Sequence, residues 1–149
     1  MFIQKEGVQV QFELVEEDNI DVSKQTYYYD YEEYDNGKGP ETMIEEILAH
    51  EAFPELDELV IGDWGAWDSS CQPIIDGIIE NKEKFSHLQK VFIGNMDMEA
   101  CEVSWILQGN YSKLWAAMPQ LKELTIKGSN ELVLGEICHE ELEALTIIC

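Results

Sequence analysis

Basic residues are scarce in this sequence. The 149-residue chain has 9 lysine plus arginine residues against 31 aspartate plus glutamate residues, which gives a formal net charge of -22 at pH 7. A protein that binds nucleic acid must neutralise phosphate groups, so this composition argues against nucleic acid and anionic membranes as partners. The acidity has three explanations that the composition leaves open, namely solubility, steering toward a basic partner and adaptation to high salt.

Long apolar runs and a secretory leader are also missing. The first seven residues contain no basic stretch followed by an apolar run. No segment approaches the roughly 20 apolar residues that a membrane-spanning helix needs. We therefore expect a cytoplasmic protein. The hydrophobic content of 45% is enough for one core, so residues 1–149 are expected to form a single domain.

The sequence lacks the motifs that are typical of metal centres and active sites. Its four cysteines lie too far apart for a C-x-x-C knuckle, and a reducing compartment argues against disulfides. There is no glycine-rich phosphate loop and no H-E-x-x-H motif. His50, His87 and His139 have no serine or cysteine nearby in a nucleophile setting. We expect no catalytic residue, no cofactor and no bound metal.

What the sequence does contain is a repeated pattern, L-x-x-[LV]-x-I. Its copies begin at Leu56, Leu88, Leu121 and, more loosely, Leu142. The pattern matches the strand segment of a leucine-rich repeat, and helical patterns separate the copies. We therefore predict an α/β fold, a right-handed solenoid of leucine-rich-repeat type with parallel strands and with helices on the convex side.

Residues 1–39 are expected to form an N-terminal β cap, and residues 40–149 the βα repeats. Val8–Val15 alternates apolar and polar residues, and Thr26–Tyr31 is rich in β-forming residues. We predict that these two segments pair and cover the N-terminal edge of the sheet. The tyrosines, followed by acidic residues as far as Tyr34, also suggest an aromatic surface for a partner.

Helices are expected between the repeat strands. Proline at the first position and apolar residues at helical spacing predict a helix from about Pro40 to His50. A second helix is predicted over roughly Gln72–Phe85. After the second strand we expect a helical segment that breaks at Gly109-Asn110, with Trp105 among its core residues.

The strand period of two assigns side chains to faces of the sheet. Leu59 and Ile61 are predicted to point toward the helices, while alternate residues lie on an open, concave face. The loops after the first two strands leave the carboxyl ends of parallel strands, where α/β sheets place ligands. The loop after the first strand carries Asp63, Trp64, Trp67 and Asp68. The loop after the second strand carries Asn95, Asp97, Glu99 and Glu102. The residues expected to bind a partner are Val60, Trp64, Trp67, Lys90, Phe92 and Thr125.

A longer block adds a resemblance. Glu99–Asn110 contains the run Cys-Glu-x-Ser-Trp-Ile-x-Gln-Gly, with Leu59–Gly65 before it and Met118–Leu124 after it. These segments resemble a family of largely uncharacterised bacterial leucine-rich-repeat proteins, over roughly Glu55–Cys149. The resemblance implies a cytoplasmic repeat protein without established catalysis, and it brings no active-site residues.

The chain stops within an apolar strand, Thr146–Cys149. An uncapped strand leaves backbone groups that can template another strand. Three explanations remain open: a truncated chain, a naturally short member of the family, or an edge that a second subunit covers. The last would make a homodimer through the C-terminal strand.

The function expected from these features is a non-enzymatic scaffold that binds a protein partner, and the acidity favours a basic one. One alternative is a small acidic immunity or antitoxin protein that blocks a toxin. A second alternative is an enzyme that uses Asp63, Asp68 and Asp97 with a divalent metal.

Overall fold

The chain folds as an α/β protein around an open sheet of six strands. The computed structural model describes residues 2–5, 8–13 and 26–149, and the side chains of 26–149. The strands are β1 (Phe2–Lys5), β2 (Val8–Glu13), β3 (Glu58–Ile61), β4 (Lys90–Ile93), β5 (Glu123–Lys127) and β6 (Ala144–Ile148). Their order across the sheet is β1-β2-β6-β5-β4-β3. All neighbours pair in parallel except β1, which is antiparallel to β2.

Four α-helices accompany the described strands: α1 (Tyr31–Asp35), α2 (Pro40–Ala49), α3 (Gln72–Glu80) and α4 (Leu114–Ala117). The predicted helix start at Pro40 is confirmed. α3 is shorter than predicted because Asn81 caps it, its side-chain amide donating to the Gly77 carbonyl at 2.8 Å. The prediction that Trp105 is a core residue is wrong, since it is 64% exposed in a 3-10 turn. None of the described helices has the length and apolarity to cross a membrane.

The parallel register stacks the repeat residues into two apolar rows. One row is Leu59, Val91, Leu124 and Leu145, and the next is Ile61, Ile93, Ile126 and Ile147. Every member is at most 2% exposed and belongs to one core cluster with residues of α2, α3 and α4. Full burial of such a side chain stabilises the fold by about 1.5–3 kcal/mol. The prediction that Leu59 and Ile61 face the core is therefore confirmed.

The N-terminal segments do not pair with each other as predicted. β2 lies beside β6, at the opposite side of the sheet from β3. The edge of β3 is instead lined by Thr26–Tyr31, which we call the tyrosine segment. The Tyr27 amide donates to the Val60 carbonyl at 2.9 Å, and the Gly62 amide donates to the Tyr27 carbonyl at 2.8 Å. β2 and the tyrosine segment therefore lie along opposite sides of the repeat strands, because each side offers unpaired backbone groups.

The last repeat strand has no open edge. β6 pairs with β5 on one side and with β2 on the other, over Gln9–Glu13. The expected free edge at Thr146–Cys149 is thus occupied by the same chain, because the alternating sequence of β2 suits a place in the sheet. The described strands offer no reason for a homodimer through β6, and we do not propose one.

A buried polar cluster ties the third repeat to the helices. The Gln108 side-chain oxygen accepts hydrogen bonds from the Cys71 thiol at 3.2 Å and the Tyr111 hydroxyl at 2.6 Å. The Gln108 amide nitrogen donates to the Lys127 carbonyl at 2.8 Å. Because buried polar groups cost free energy unless they are paired, this glutamine has a structural role in the block that carries the family resemblance.

The four cysteines are free, and they divide into two classes. Cys71 and Cys101 are buried, whereas Cys138 and Cys149 are exposed. Burial raises the pKa of the Cys71 thiol to about 12 and that of Cys101 to about 11. Since the thiolate is the reactive form, both access and protonation protect the buried pair.

We therefore expect a thiol reagent such as Ellman's reagent to label Cys138 and Cys149 rapidly in the native protein. Cys71 and Cys101 should react at least about a hundredfold more slowly, because burial blocks access of the reagent and raises the pKa of both thiols, which keeps their thiolate fraction low. Stopped-flow absorbance gives the rates, and labelling in denaturant shows that all four are free. Rapid native labelling of Cys71, located by peptide mass spectrometry, would contradict the packing described above.

Candidate functional site

A concave cleft lies where the loops after β3 and β4 meet the tyrosine segment. It has a volume of about 420 Å³. Its lining residues are mostly aromatic or acidic: Tyr28, Tyr29, Asp30, Tyr31, Tyr34, Asp63, Gly65, Trp67, Asp97, Glu99 and Ala100. We call it the acidic cleft. It opens at the carboxyl ends of two parallel strands, the position at which α/β sheets usually bind ligands.

The tyrosine segment reaches the cleft because alternate tyrosines anchor it to α2. The Tyr27 hydroxyl is hydrogen-bonded to His50 Nδ1 at 2.5 Å, and the Tyr29 hydroxyl is bonded to Thr42 and Glu46. Burial and the Glu46 hydrogen bond raise the pKa of Tyr29, so its phenol stays protonated. In an extended segment neighbouring side chains point to opposite sides. Tyr28 therefore faces outward and is 60% exposed.

Another wall of the cleft is formed by two aromatic rings that contact each other. The Tyr34 ring on α1 lies 5.6 Å from the Trp67 ring, with an interplanar angle of 55°. The Tyr34 hydroxyl donates to Asp68 at 2.5 Å, and this hydrogen bond raises the pKa of Tyr34. Gly65 makes room for the ring, because a Cβ at this position would lie 2.8 Å from Tyr34 Cε2. These contacts hold the Trp67 ring at the cleft while leaving it 52% exposed.

The carboxylates of the cleft are positioned by the turns that contain them. Asp63 Oδ1 accepts the amide N–H groups of Gly65 and Ala66 at 2.8 and 3.1 Å. Asp97 Oδ1 accepts the N–H of Ala100 at 2.9 Å in the loop after β4. Asp30 caps α1 in the same way, accepting the Glu33 amide at 2.9 Å. Each of these aspartates therefore stabilises its own turn or helix start through one carboxylate oxygen, Oδ1.

The cleft is strongly acidic. None of its lining residues is basic. Within the part of the chain that the structure describes, no ion pair involves the carboxylates of Asp30, Asp63, Asp97 or Glu99. Lys38, which lies near α1, is bonded instead to Glu46 at 2.8 Å. The cleft thus combines a negative potential with exposed aromatic rings, and this combination favours a cationic ligand.

A second surface lies on the face of the sheet opposite the core. Lys90 pairs in register with Glu58 and Glu123, and its ammonium lies 3.0 Å from the Glu123 carboxylate. That hydrogen bond raises the pKa of Lys90. Phe92 and Thr125 lie in the next row, and a shallow groove of about 130 Å³ runs over both rows. We call this surface the strand groove.

The structure divides the six residues expected to bind a partner among three environments. Lys90, Phe92 and Thr125 line the strand groove, and Trp67 lines the acidic cleft. Val60 is 3% exposed and Trp64 is fully buried, so the expectation that these two contact a partner is wrong. Trp64 packs in the core, and its indole N–H donates to the Ser69 carbonyl at 2.8 Å. It holds the loop that presents Trp67.

Among residues 26–149, no three His, Cys, Asp or Glu side chains are close enough together to hold an ion. The three histidines bond to neighbouring structure, His50 to Tyr27, His87 to the Phe53 carbonyl and His139 to the Met118 carbonyl. These contacts give each imidazole a packing role.

Two groups of cleft residues are missing from the set predicted to bind a partner. They are the rings of Tyr28, Tyr31 and Tyr34 and the carboxylates of Asp30, Asp63, Asp97 and Glu99. The tyrosine-rich run and the acidic loops were each recognisable as features of the sequence. Their meeting in one cleft was not, because it depends on the tyrosine segment lining β3 from a distant part of the chain.

Comparison with known proteins gives one structural neighbour. A protein from Bacteroides fragilis, whose crystal structure was determined by the Northeast Structural Genomics Consortium, is 38% identical with a TM-score of 0.76. The match covers 87% of this chain but 36% of that chain, so this chain spans about a third of its neighbour's length. The likeness supports the α/β fold and carries no activity, substrate or partner with it. No protein-family model and no curated protein matches the chain.

Proposed function

We propose that this protein is a cytoplasmic, non-enzymatic scaffold of leucine-rich-repeat type that binds a basic protein partner through the acidic cleft and the strand groove. The observation that carries the proposal is the acidic cleft itself. Exposed rings of Tyr28, Tyr31 and Trp67 lie there among four carboxylates, with no basic residue in the lining. Exposed aromatic groups in one patch mark interaction sites in soluble proteins.

The repeat register supports the scaffold part of the proposal. Equivalent residues of β3, β4, β5 and β6 stand in rows, with the apolar rows facing the helices and the rows of Lys90 and Phe92 facing away. Stacked repeats of this kind create an extended surface on their strand side. A right-handed solenoid would thus place the strand groove next to the loops that follow the same strands.

The charge distribution supports the basic partner. With a formal charge of -22, the molecule attracts cationic proteins over the Debye length, which is about 10 Å at 0.1 M salt. Steering of this kind raises the association rate more than the final affinity. The exposed rings of the cleft supply the short-range contacts that hold the partner once it has arrived.

Affinity capture from a native bacterial lysate, with mass spectrometry, tests this function. We expect the wild type to retain a basic protein, and we expect Trp67→Ala and Phe92→Glu each to reduce its recovery at least about tenfold, as loss of a contact worth about 1.4 kcal/mol would. Raising the salt toward 1 M should also release it, because screening then acts within about 3 Å.

Trp105→Ala is the matched control, because Trp105 is an exposed tryptophan that lines neither surface. Circular dichroism of all variants shows whether the fold is intact. Recovery that stays unchanged in both Trp67→Ala and Phe92→Glu would exclude these two surfaces as the binding site. Capture of acidic proteins alone would rule out the basic partner.

A further inference from the structure

We propose that the acidic cleft binds an arginine side chain of the partner, with the guanidinium group against the Trp67 ring and among the cleft carboxylates. This inference rests on the proposed function and names the chemical group that the same cleft recognises. It is carried by three properties of the cleft, which are its exposed rings, its carboxylate oxygens that accept no hydrogen bond from the described residues, and its size.

The ring faces suit a cation. Trp67 is 52% exposed at the cleft, and tryptophan is the ring that attracts cations most strongly. Tyr28 and Tyr31 add two further exposed rings. The same chemistry already occurs beside the cleft, where the Lys38 ammonium lies 5.6 Å from the centroid of the Tyr29 ring. A cation from a partner would extend this arrangement to the outer rings.

The carboxylates select a cation with N–H groups. Asp63 and Asp97 each use Oδ1 for backbone amides, and in the described contacts their Oδ2 atoms and the Glu99 carboxylate accept no hydrogen bond. A quaternary ammonium has no N–H to donate to these oxygens. A guanidinium offers five N–H groups in a planar fork, is weakly hydrated and stacks on aromatic rings. The cleft therefore favours arginine over lysine.

The size of the cleft suits a side chain with part of its backbone. A volume of about 420 Å³ falls within the range of about 300–1,000 Å³ that is typical of ligand pockets. That is more space than a bare inorganic cation fills. The cleft is therefore large enough for a residue within a peptide chain, which is the kind of ligand that the proposed protein partner would supply.

Short peptides test the assignment without the partner. The probes are capped pentapeptides of glycine and serine with arginine, lysine or citrulline at the centre, titrated into the full-length, isotope-labelled protein. Citrulline keeps the shape of arginine without its charge. The indole N–H signal of Trp67, assigned with Trp67→Phe, reports binding at the cleft in the wild type, and the backbone amide signals of the cleft residues report it in every variant.

We expect the arginine peptide to bind at least about tenfold more tightly than the citrulline peptide and about threefold more tightly than the lysine peptide. Trp67→Ala should weaken arginine binding about three- to thirtyfold, and Trp105→Ala should leave it unchanged. Asp97→Asn combined with Glu99→Gln should weaken it and flatten its salt dependence. Asparagine still accepts the Ala100 amide, so the turn is kept.

Equal dissociation constants for the arginine and citrulline peptides would overturn the assignment, as would a lysine peptide that binds as well as arginine. The protein spectrum in each titration shows that the variants are folded. If the arginine peptide fails to bind while partner capture still depends on Phe92, this inference fails and the proposed function stands. If capture of a basic protein fails as well, both are overturned.

Discussion

We expect Trp64→Ala to lower the free energy of unfolding by about 3–5 kcal/mol, the range found for truncation of buried aromatic residues. Trp64 is fully buried in the main core cluster, and the alanine would leave a large cavity behind the loop after β3. The same change removes the indole N–H that donates to the Ser69 carbonyl. Urea denaturation followed by circular dichroism measures the loss without relying on tryptophan fluorescence.

The neighbouring tryptophan provides the control. Trp67 lies three residues further along the same loop but is 52% exposed, so Trp67→Ala should lower the free energy of unfolding by only about 0.5–1.5 kcal/mol, through loss of its contact with the Tyr34 ring. Trp64→Phe should fall between the two, since it keeps a buried ring but loses the hydrogen bond. A Trp64→Ala variant within about 1 kcal/mol of the wild type would show that the loop is held by other contacts.

Because Trp64 holds the loop, its loss should also weaken binding at the acidic cleft, although the side chain touches no ligand. Trp67→Ala should weaken binding with a much smaller loss of stability. A pair of tryptophans in one loop thus separates the role of support from the role of contact. The sequence cannot assign these roles, because an irregular loop has no period that tells an inward side chain from an outward one.

The repeat strands were predictable for a reason that does not apply to the loop. In a parallel strand the side-chain period is two, so Leu59 and Ile61 had to share a face, and the same spacing recurs in β4, β5 and β6. A strand shifted by one residue would turn the apolar row outward. Local pattern and tertiary pairing therefore agree, and the register follows from the sequence alone.

The N-terminal residues show where this reasoning ends. The strand character of Val8–Val15 is local information, and the predicted strand is present over Val8–Glu13, while Leu14 and Val15 lie outside the described residues. Its neighbour is not local information, because β6, paired with β2, begins more than a hundred residues later. Both sides of the repeat sheet offer unpaired backbone groups, and nothing in the alternating pattern distinguishes them. The tyrosine segment took one side and β2 took the other.

The acidic cleft could not be predicted from the sequence for the same reason, since part of its lining comes from a distant segment. The loops after β3 and β4 were expected to carry a ligand site, because both leave the carboxyl ends of parallel strands. The tyrosine segment completes the cleft because Tyr27 and Tyr29 anchor it to α2. They do so through hydrogen bonds to His50, Thr42 and Glu46. Those hydrogen bonds join residues that only the folded chain brings together, so the cleft is a property of the tertiary structure.

The second large effect on stability is expected at a glycine. Gly94 follows β4 with a φ of +110°, a conformation that residues with a side chain rarely adopt. A Cβ at this position would lie 2.7 Å from the Lys127 carbonyl oxygen and 3.0 Å from Lys127 Cβ. That oxygen also accepts the Gln108 side-chain amide at 2.8 Å, so it has little freedom to move away.

We therefore expect Gly94→Ala to lower the free energy of unfolding by about 2–5 kcal/mol, the sum of about 1–2 kcal/mol for the backbone conformation and about 1–3 kcal/mol for overpacking. Gly37→Ala is the matched control, since Gly37 has a φ of +89° with nothing within 4 Å of the added Cβ. It should lose only the conformational part, about 1–2 kcal/mol.

The difference between the two glycine variants, measured by urea denaturation under one set of conditions, isolates the contact between β4 and β5. If Gly94→Ala is no worse than Gly37→Ala, the strand ends are not packed as closely as the contact with Lys127 requires. If it is worse by about 1–3 kcal/mol, the glycine after the strand is needed for the stacking of one repeat on the next. A glycine also follows β3, at Gly62, where a Cβ would lie 2.9 Å from the Asn95 carbonyl oxygen. The presence of a glycine after both strands would then be explained by the close approach of the next repeat.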